Sequence, residues 1–373
     1  MNWISGKTLR VLLINLLVAL ALILFIETGI YAARMLSGKQ SVGWLMYQQH
    51  ADLDDPCKVM KTHPILSHVH DDRGQCKIKG GVAREGFVYY DDPSQYGGVV
   101  VTLGGSTTDG YYQHFSNGET YPYHLNSLVH ADGLTVVNGG IGAYGSTQEL
   151  LKLLTRVPLI KADIKYIISL DGINDIYGYA DTTEEIYETR PFMTGLQYTM
   201  FTNQVWVEQG KGKWTILPNI LHLAGIRGGP ADRGKAKHKK QRAAGTGGAV
   251  KTLHAQRWYA NVQKMEALSR SMGAEYFVFL QPTLGLRGVQ SDVDPGTPDG
   301  RLYDILTDTY LRNLNGTYDQ LRIYCAELPY CYDISDVAPP SGDMYSDTRH
   351  HGGRGNLLIA QRIHEIIFKQ GAK

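Results

Sequence analysis

Ser106 is the residue whose setting first suggests chemistry. It stands in LGGSTTDG, residues 103–110, directly after the apolar, β-branched run GVVVTL that begins at Gly98. A serine behind a strand and two glycines can be held on a tight turn with its Oγ exposed, because glycine tolerates the backbone angles and close approach that such a turn demands. Ser106 is therefore a candidate nucleophile, although taken alone it would serve equally well as a helix N-cap. The G-x-S-x-G elbow of the α/β-hydrolases is not matched, since Thr108 occupies the place of its second glycine. Three more segments carry polar residues at the ends of expected strands: VNGGIGAYGS (137–146), LDGIND (170–175) and SDTRHHGGRGN (346–356). Ligands of an open α/β sheet bind at the carboxyl ends of its strands, so the four segments are expected to converge on one crevice.

The elements that must position these segments alternate along the chain. Short apolar runs recur at 134–137, 166–170 and 276–280, with a last strand around 332–334. Helical spacing over 121–129, 147–154, 252–272 and 357–368 separates them. Such alternation predicts a three-layer α/β/α domain with a parallel sheet and helices on both faces. The expected organisation is a cytoplasmic N-terminus and membrane anchor (1–36), a lead-in arm (37–97) and a main domain (98–373) interrupted by an insertion around 179–250.

Together the four segments resemble the sequence blocks of the SGNH/GDSL hydrolase superfamily, over residues 98–368. The resemblance implies that Ser106 attacks an ester carbonyl. It also implies an oxyanion hole made from the Ser106 amide, the Gly142 and Ala143 turn and the Asn174 side chain. The family's D-x-x-H pair falls on Asp347 and His350. His351 is a rival base, but the spacing to Gly355 and Asn356 matches His350 better. These roles suit the residue types: serine is a weak nucleophile until an imidazole takes its proton, and the imidazole needs a carboxylate to hold its tautomer. An oxyanion donor such as Asn174 contributes about 2.7–4 kcal/mol. Two departures stand out. GDSL reads GGST here, and the oxyanion glycine aligns with Ala143, preceded by Gly142, which leaves open which of the two amides faces the site. A helix leading into a strand that ends in Gln281 and Pro282 is similar to bacterial exported members of the superfamily, and this pair either lines the crevice or ends the strand.

Residues 11–26 are apolar except for Asn15, and the stretch runs on to Ala33 with moderate polarity, the length of a transmembrane helix if Glu27 lies near an interface. An uncleaved anchor is expected rather than a signal peptide, because Tyr31, Ala32 and Ala33 make a poor cleavage site. Either way the rest is exported, which predicts a bacterial inner-membrane protein with a periplasmic or extracellular domain. All four cysteines lie beyond the span, an even count suited to disulfides. Pairing Cys57 with Cys76 and Cys325 with Cys331 closes short loops.

Lys plus Arg number 37 against 36 Asp plus Glu, so no basic field favours nucleic acid as a partner. Seven basic residues do crowd 227–242, with only Asp232 opposing them, and read as a solvated loop or a patch for anionic lipid or glycan. His63, His68, His70 and Asp71 cluster in THPILSHVHDD, but their spacing matches no metal motif. No Walker loop, dinucleotide fingerprint or zinc-protease motif is present, so no cofactor or metal is expected. The function expected is an acyl or acetyl esterase acting outside the cytoplasm, with an acylated glycan as one substrate class. The alternatives are a polysaccharide O-acetyltransferase using the same triad, and a non-catalytic glycan-binding or assembly protein whose 24 tyrosines offer sugar-stacking surface.

Overall fold

In chain order, the elements of the computed structural model are β1 (Met60–His63), β2 (Ser67–His70), β3 (Cys76–Ile78), β4 (Gly81–Arg84), β5 (Phe87–Tyr89) and β6 (Gly98–Gly104). There follow α1 (Tyr121–Val129), β7 (Leu134–Asn138), α2 (Ser146–Thr155), β8 (Ile164–Asp171) and α3 (Ile173–Tyr177). The chain closes with α4 (Gly247–Ser271), β9 (Glu275–Leu280), α5 (Asp308–Ala326), β10 (Cys331–Asp333) and α6 (Gly353–His364). The structure describes residues 14, 15, 18, 21, 22, 25, 28, 60–63, 65–70, 76–110, 118–177, 247–287, 306, 308–339, 342 and 344–369.

Every residue of β6 is buried, and its two-residue side-chain period divides the core. Val99, Val101 and Leu103 face Leu153 of α2, Trp258 of α4 and Tyr318 of α5. Val100 faces the opposite layer, with Leu125 of α1 and Ile359 of α6. A strand covered on both faces reads as a continuous apolar run, which is why GVVVTL does not alternate with polar residues. The result is the expected three-layer α/β/α arrangement.

The sheet has eight strands in the order β10-β9-β8-β6-β7-β5-β4-β3. From β10 to β7 the neighbours are parallel. The all-parallel sheet expected from sequence needs correction, because β5 pairs antiparallel with β7 and carries β4 and β3 with it. Residues 76–89, expected in a lead-in arm, are thus part of the main sheet. Their strands are three or four residues long, joined by tight turns with positive φ at Gly80, Glu85 and Gly86. The hairpin β1-β2 forms a separate two-stranded sheet.

Cys325 and Cys331 form the expected disulfide, tying the end of α5 to the start of β10. Cys76 is also disulfide-bonded, while Cys57, its expected partner, lies outside the described residues. The chain divides into one unit of Met1–Asp55 and Thr202–Gln241 and another of Pro56–Phe201 and Arg242–Lys373, the second containing every element named above. Of the expected membrane span, the seven described residues are all helical and exposed. The rest of that span lies outside the described residues, and among those described no helix is long and apolar enough to cross a membrane. The basic run 227–242, most of the expected insertion and Asp71 also lie outside them.

Candidate active site

Strand β6 delivers Ser106 through two glycines, each required by a close approach. Gly104 has φ 153°, and a Cβ there would run into the Thr108 hydroxyl. A Cβ on Gly105 would run into the Asn174 side-chain amide. The amides of Thr108 and Asp109 both donate to Gly105 O at 3.0 Å, closing the turn that presents Ser106. From beneath, the Thr107 hydroxyl donates to the buried Gln281 side-chain oxygen at 3.3 Å. Gln281 therefore supports the serine turn, and Pro282 is buried beside it.

The loop before α6 meets this turn. Ser106 Oγ lies 2.6 Å from His350 Nε2, and His350 Nδ1 lies 2.6 Å from Asp347 Oδ2. Burial alone would push the Asp347 carboxyl up. The hydrogen bonds from His350 Nδ1 and from the amides of Arg349 and His350 work against it, and the carboxyl is held at about 2. An ionised carboxylate only accepts, so His350 Nδ1 donates to it, which leaves Nε2 of the neutral ring to accept the Ser106 proton. The loop itself is folded by Ser346 N donating to His350 O and by Gly352 N donating to Met344 O. His351 is buried against the Tyr345 ring, and burial lowers its pKa to about 3. Of the two histidines, His350 is the one that reaches Ser106.

Strand β8 ends at Asp171, and Gly172, with φ 130°, turns the chain into α3 and its Asn174. Asn174 Nδ2 donates one proton to Tyr144 O at 2.8 Å, and an amide nitrogen has a second. The turn after β7 divides its two candidate amides. Gly142 N donates to Asp109 Oδ2 at 2.7 Å, so its proton is committed elsewhere, and Gly142 is corrected from oxyanion donor to support. Ala143 adopts φ 66°, the left-handed conformation that glycine takes without cost and that other residues adopt at about 1–2 kcal/mol.

Four residues that build this turn were given no such role in the sequence, Asn138 and Asp109 being unremarked and His68 and His70 read only as part of a histidine cluster. Asn138 donates to Thr108 O at 2.6 Å and accepts from Gly140 N at 2.9 Å, joining the β6 and β7 turns. Asp109 is fully buried and lies 3.0 Å from His70 Nε2. His68 Nε2 lies 2.8 Å from Gly142 O. The histidine cluster was visible in the sequence, and His68 and His70, two apart on a strand, were bound to share a face. In the structure that face meets the Gly142 turn, while His63 Nδ1 accepts from the amides of Ile65 and Leu66 in its own hairpin.

Three carboxyl groups are buried beneath the turn. Asp175 accepts from Ser146 N at 3.1 Å and from Ser146 Oγ at 2.6 Å, capping α2. Asp171 accepts from Trp258 Nε1 at 2.9 Å, and Glu149 is fully buried with the Asp171 carboxyl acting on it. Burial raises all three, Asp171 to about 7, Asp175 to about 6 and Glu149 well above the ordinary range. A protonated Glu149 donating to Asp171 satisfies both groups with one proton fewer than full neutralisation.

No family model matches this chain, and no curated protein matches it in sequence. Among solved structures it is similar to an acetyl xylan esterase at 10% identity, covering 72% of this chain and 100% of that one with a TM-score of 0.38. It is similar to a GDSL-like lipase from Bacteroides thetaiotaomicron at 11% identity, covering 73% and 88% with a TM-score of 0.36. A psychrotrophic esterase from Pseudoalteromonas sp. is similar at 11% identity, covering 74% and 100% with a TM-score of 0.37.

Proposed function

We propose that this chain is a serine-dependent carboxylic ester hydrolase of the SGNH/GDSL type that works through an acyl-Ser106 intermediate. The observation that carries the reading is the unbroken hydrogen-bonded path from Ser106 Oγ through His350 to Asp347, with both links at 2.6 Å. Residues 244 positions apart in sequence meet there in the order that nucleophilic catalysis requires. Ser106 Oγ attacks the acyl carbonyl while His350 Nε2 takes its proton, and the ionised Asp347 stabilises the imidazolium that forms. The oxyanion is received by the amides of Ser106 and Ala143 and by Asn174 Nδ2. Collapse expels the alcohol, which takes the proton from His350. Water then repeats the sequence on the acyl-enzyme with His350 again as base.

In this reading the domain acts outside the cytoplasm of a bacterium, held at the inner membrane by residues 11–33, on an acylated and most simply an acetylated glycan. Its support is the apolar N-terminal run, and the Cys325–Cys331 disulfide of the kind found in oxidising compartments. The test is turnover of p-nitrophenyl acetate and longer-chain esters by the full chain in detergent. The parent should hydrolyse them, and both Ser106→Ala and His350→Ala should fall to the uncatalysed background. Undiminished turnover in either variant would overturn the assignment.

A further inference from the structure

The hairpin β1-β2 brings two buried histidines to the turn after β7, and neither takes part in the proton path described above. His68 Nε2 lies 2.8 Å from Gly142 O. A carbonyl oxygen only accepts, so this ring nitrogen carries the proton and donates it. The Gly142 carbonyl and the Ala143 N–H belong to one planar trans peptide, and they point to opposite sides of the chain. Fixing the carbonyl therefore fixes the direction of the N–H. A hydrogen bond to the carbonyl also polarises the peptide and strengthens its N–H as a donor.

The remaining contacts make this hold rigid. Tyr144 OH donates to His68 O at 2.5 Å, and the two rings meet edge-on with centroids 5.2 Å apart. Leu66 of the hairpin packs with Ile141 and Tyr144. On the other side of Gly142, its N–H is held by Asp109, which pairs with the buried His70. Both polar groups of Gly142 are thus gripped, directly or through Asp109, from the hairpin. Ala143 beside it sits at φ 66°, a conformation that an alanine keeps only where its surroundings impose it. Burial lowers the His68 pKa to about 4, so the ring is a neutral donor throughout the neutral range.

We propose that His68 is a positioning residue that fixes the Gly142–Ala143 peptide beside the Ser106 turn for turnover, an inference that rests on the serine-hydrolase reading. It assigns the β1-β2 hairpin a role in turnover instead of in substrate binding. The experiment compares His68→Leu, which removes the donor, with His68→Gln, which keeps a side-chain N–H, using p-nitrophenyl acetate and the full chain. His68→Leu should lower kcat by roughly 10- to 100-fold, below the full loss of an oxyanion donor, with KM within about twofold of the parent. His68→Gln should recover most of that loss, and affinity for a boronic acid mimic of the tetrahedral state should fall in step with kcat. Melting temperatures identify any variant that has lost its fold, and the Gln variant then carries the comparison. A His68→Leu kcat within twofold of the parent, a Gln variant no better than Leu, or a change confined to KM would overturn the inference. A parent that neither turns over ester nor reacts at Ser106 with a fluorophosphonate removes the serine-hydrolase reading, and this inference falls with it. An active parent whose His68 variants match it removes this inference alone.

Discussion

Asp347 uses its two oxygens for different tasks. Oδ2 receives His350 Nδ1, while Oδ1 accepts the amides of Arg349 and His350 at 2.8 and 2.9 Å. An asparagine of the same shape must keep its oxygen toward those two amides, so its NH2 faces Nδ1. Two donors cannot face each other, and the ring is driven to the tautomer protonated at Nε2, which has no lone pair to take the Ser106 proton. Asp347→Asn is therefore expected to lower kcat on the order of 10⁴-fold, with KM little changed, in steady-state ester hydrolysis. A loss under tenfold would show that the carboxylate does not set the tautomer. At this scale the sequence was most informative where the spacing of several residues is itself distinctive, as for Ser106, Asn174, Asp347 and His350. It was silent on Gly142 and Ala143, because the side chains that hold their turn, Asp109 and His68, lie 33 and 74 residues from Gly142.

The three parallel strand ends that carry the site come from β6, β7 and β8, each with a buried, largely apolar run that a doubly covered sheet explains. Those strands, and the helices α1, α2, α4 and α6, were legible for that reason. Helix α5 was not, although Leu314, Tyr318, Leu321 and Cys325 follow one buried helical face. Asn313, Asn315, Gly316 and Thr317 at its centre are poor helix formers that local reasoning takes for a turn, and packing against α4 overrides them. The buried carboxyl cluster belongs to this scale too, since α2, β8 and α3 each supply one member. A carboxyl with a raised native pKa keeps a proton that the unfolded chain gives up above about pH 4. Its contribution to stability is intact below that pH and is lost as the pH climbs through the native values, here about 6 and 7 for Asp175 and Asp171 and higher for Glu149. Glu149→Gln keeps a donor for Asp171 and removes one such group. Its melting temperature relative to the parent should therefore rise between pH 5 and pH 8. Parallel melting curves at the two pH values would mean that Glu149 is ionised in the native protein.

At the scale of the whole molecule, a nearly balanced charge and an eight-stranded sheet covered on both faces describe a scaffold, and fold alone does not fix function. What distinguishes this scaffold is that loops from both ends of the sequence are drawn to one serine. The β1-β2 hairpin supports the Gly142 turn, and the loop before α6 brings the base. The hairpin's part was hidden in the sequence because a histidine cluster also has the composition of a metal site, and only the contacts tell the two apart. The claim on which the rest depends is that Ser106 is a nucleophile made reactive by His350. The most direct measurement is treatment of the full chain with a fluorophosphonate, followed by mass spectrometry of its peptides. The account predicts stoichiometric labelling at Ser106 in the parent and none at that residue in His350→Ala. An unlabelled Ser106, or one labelled equally without His350, would contradict it.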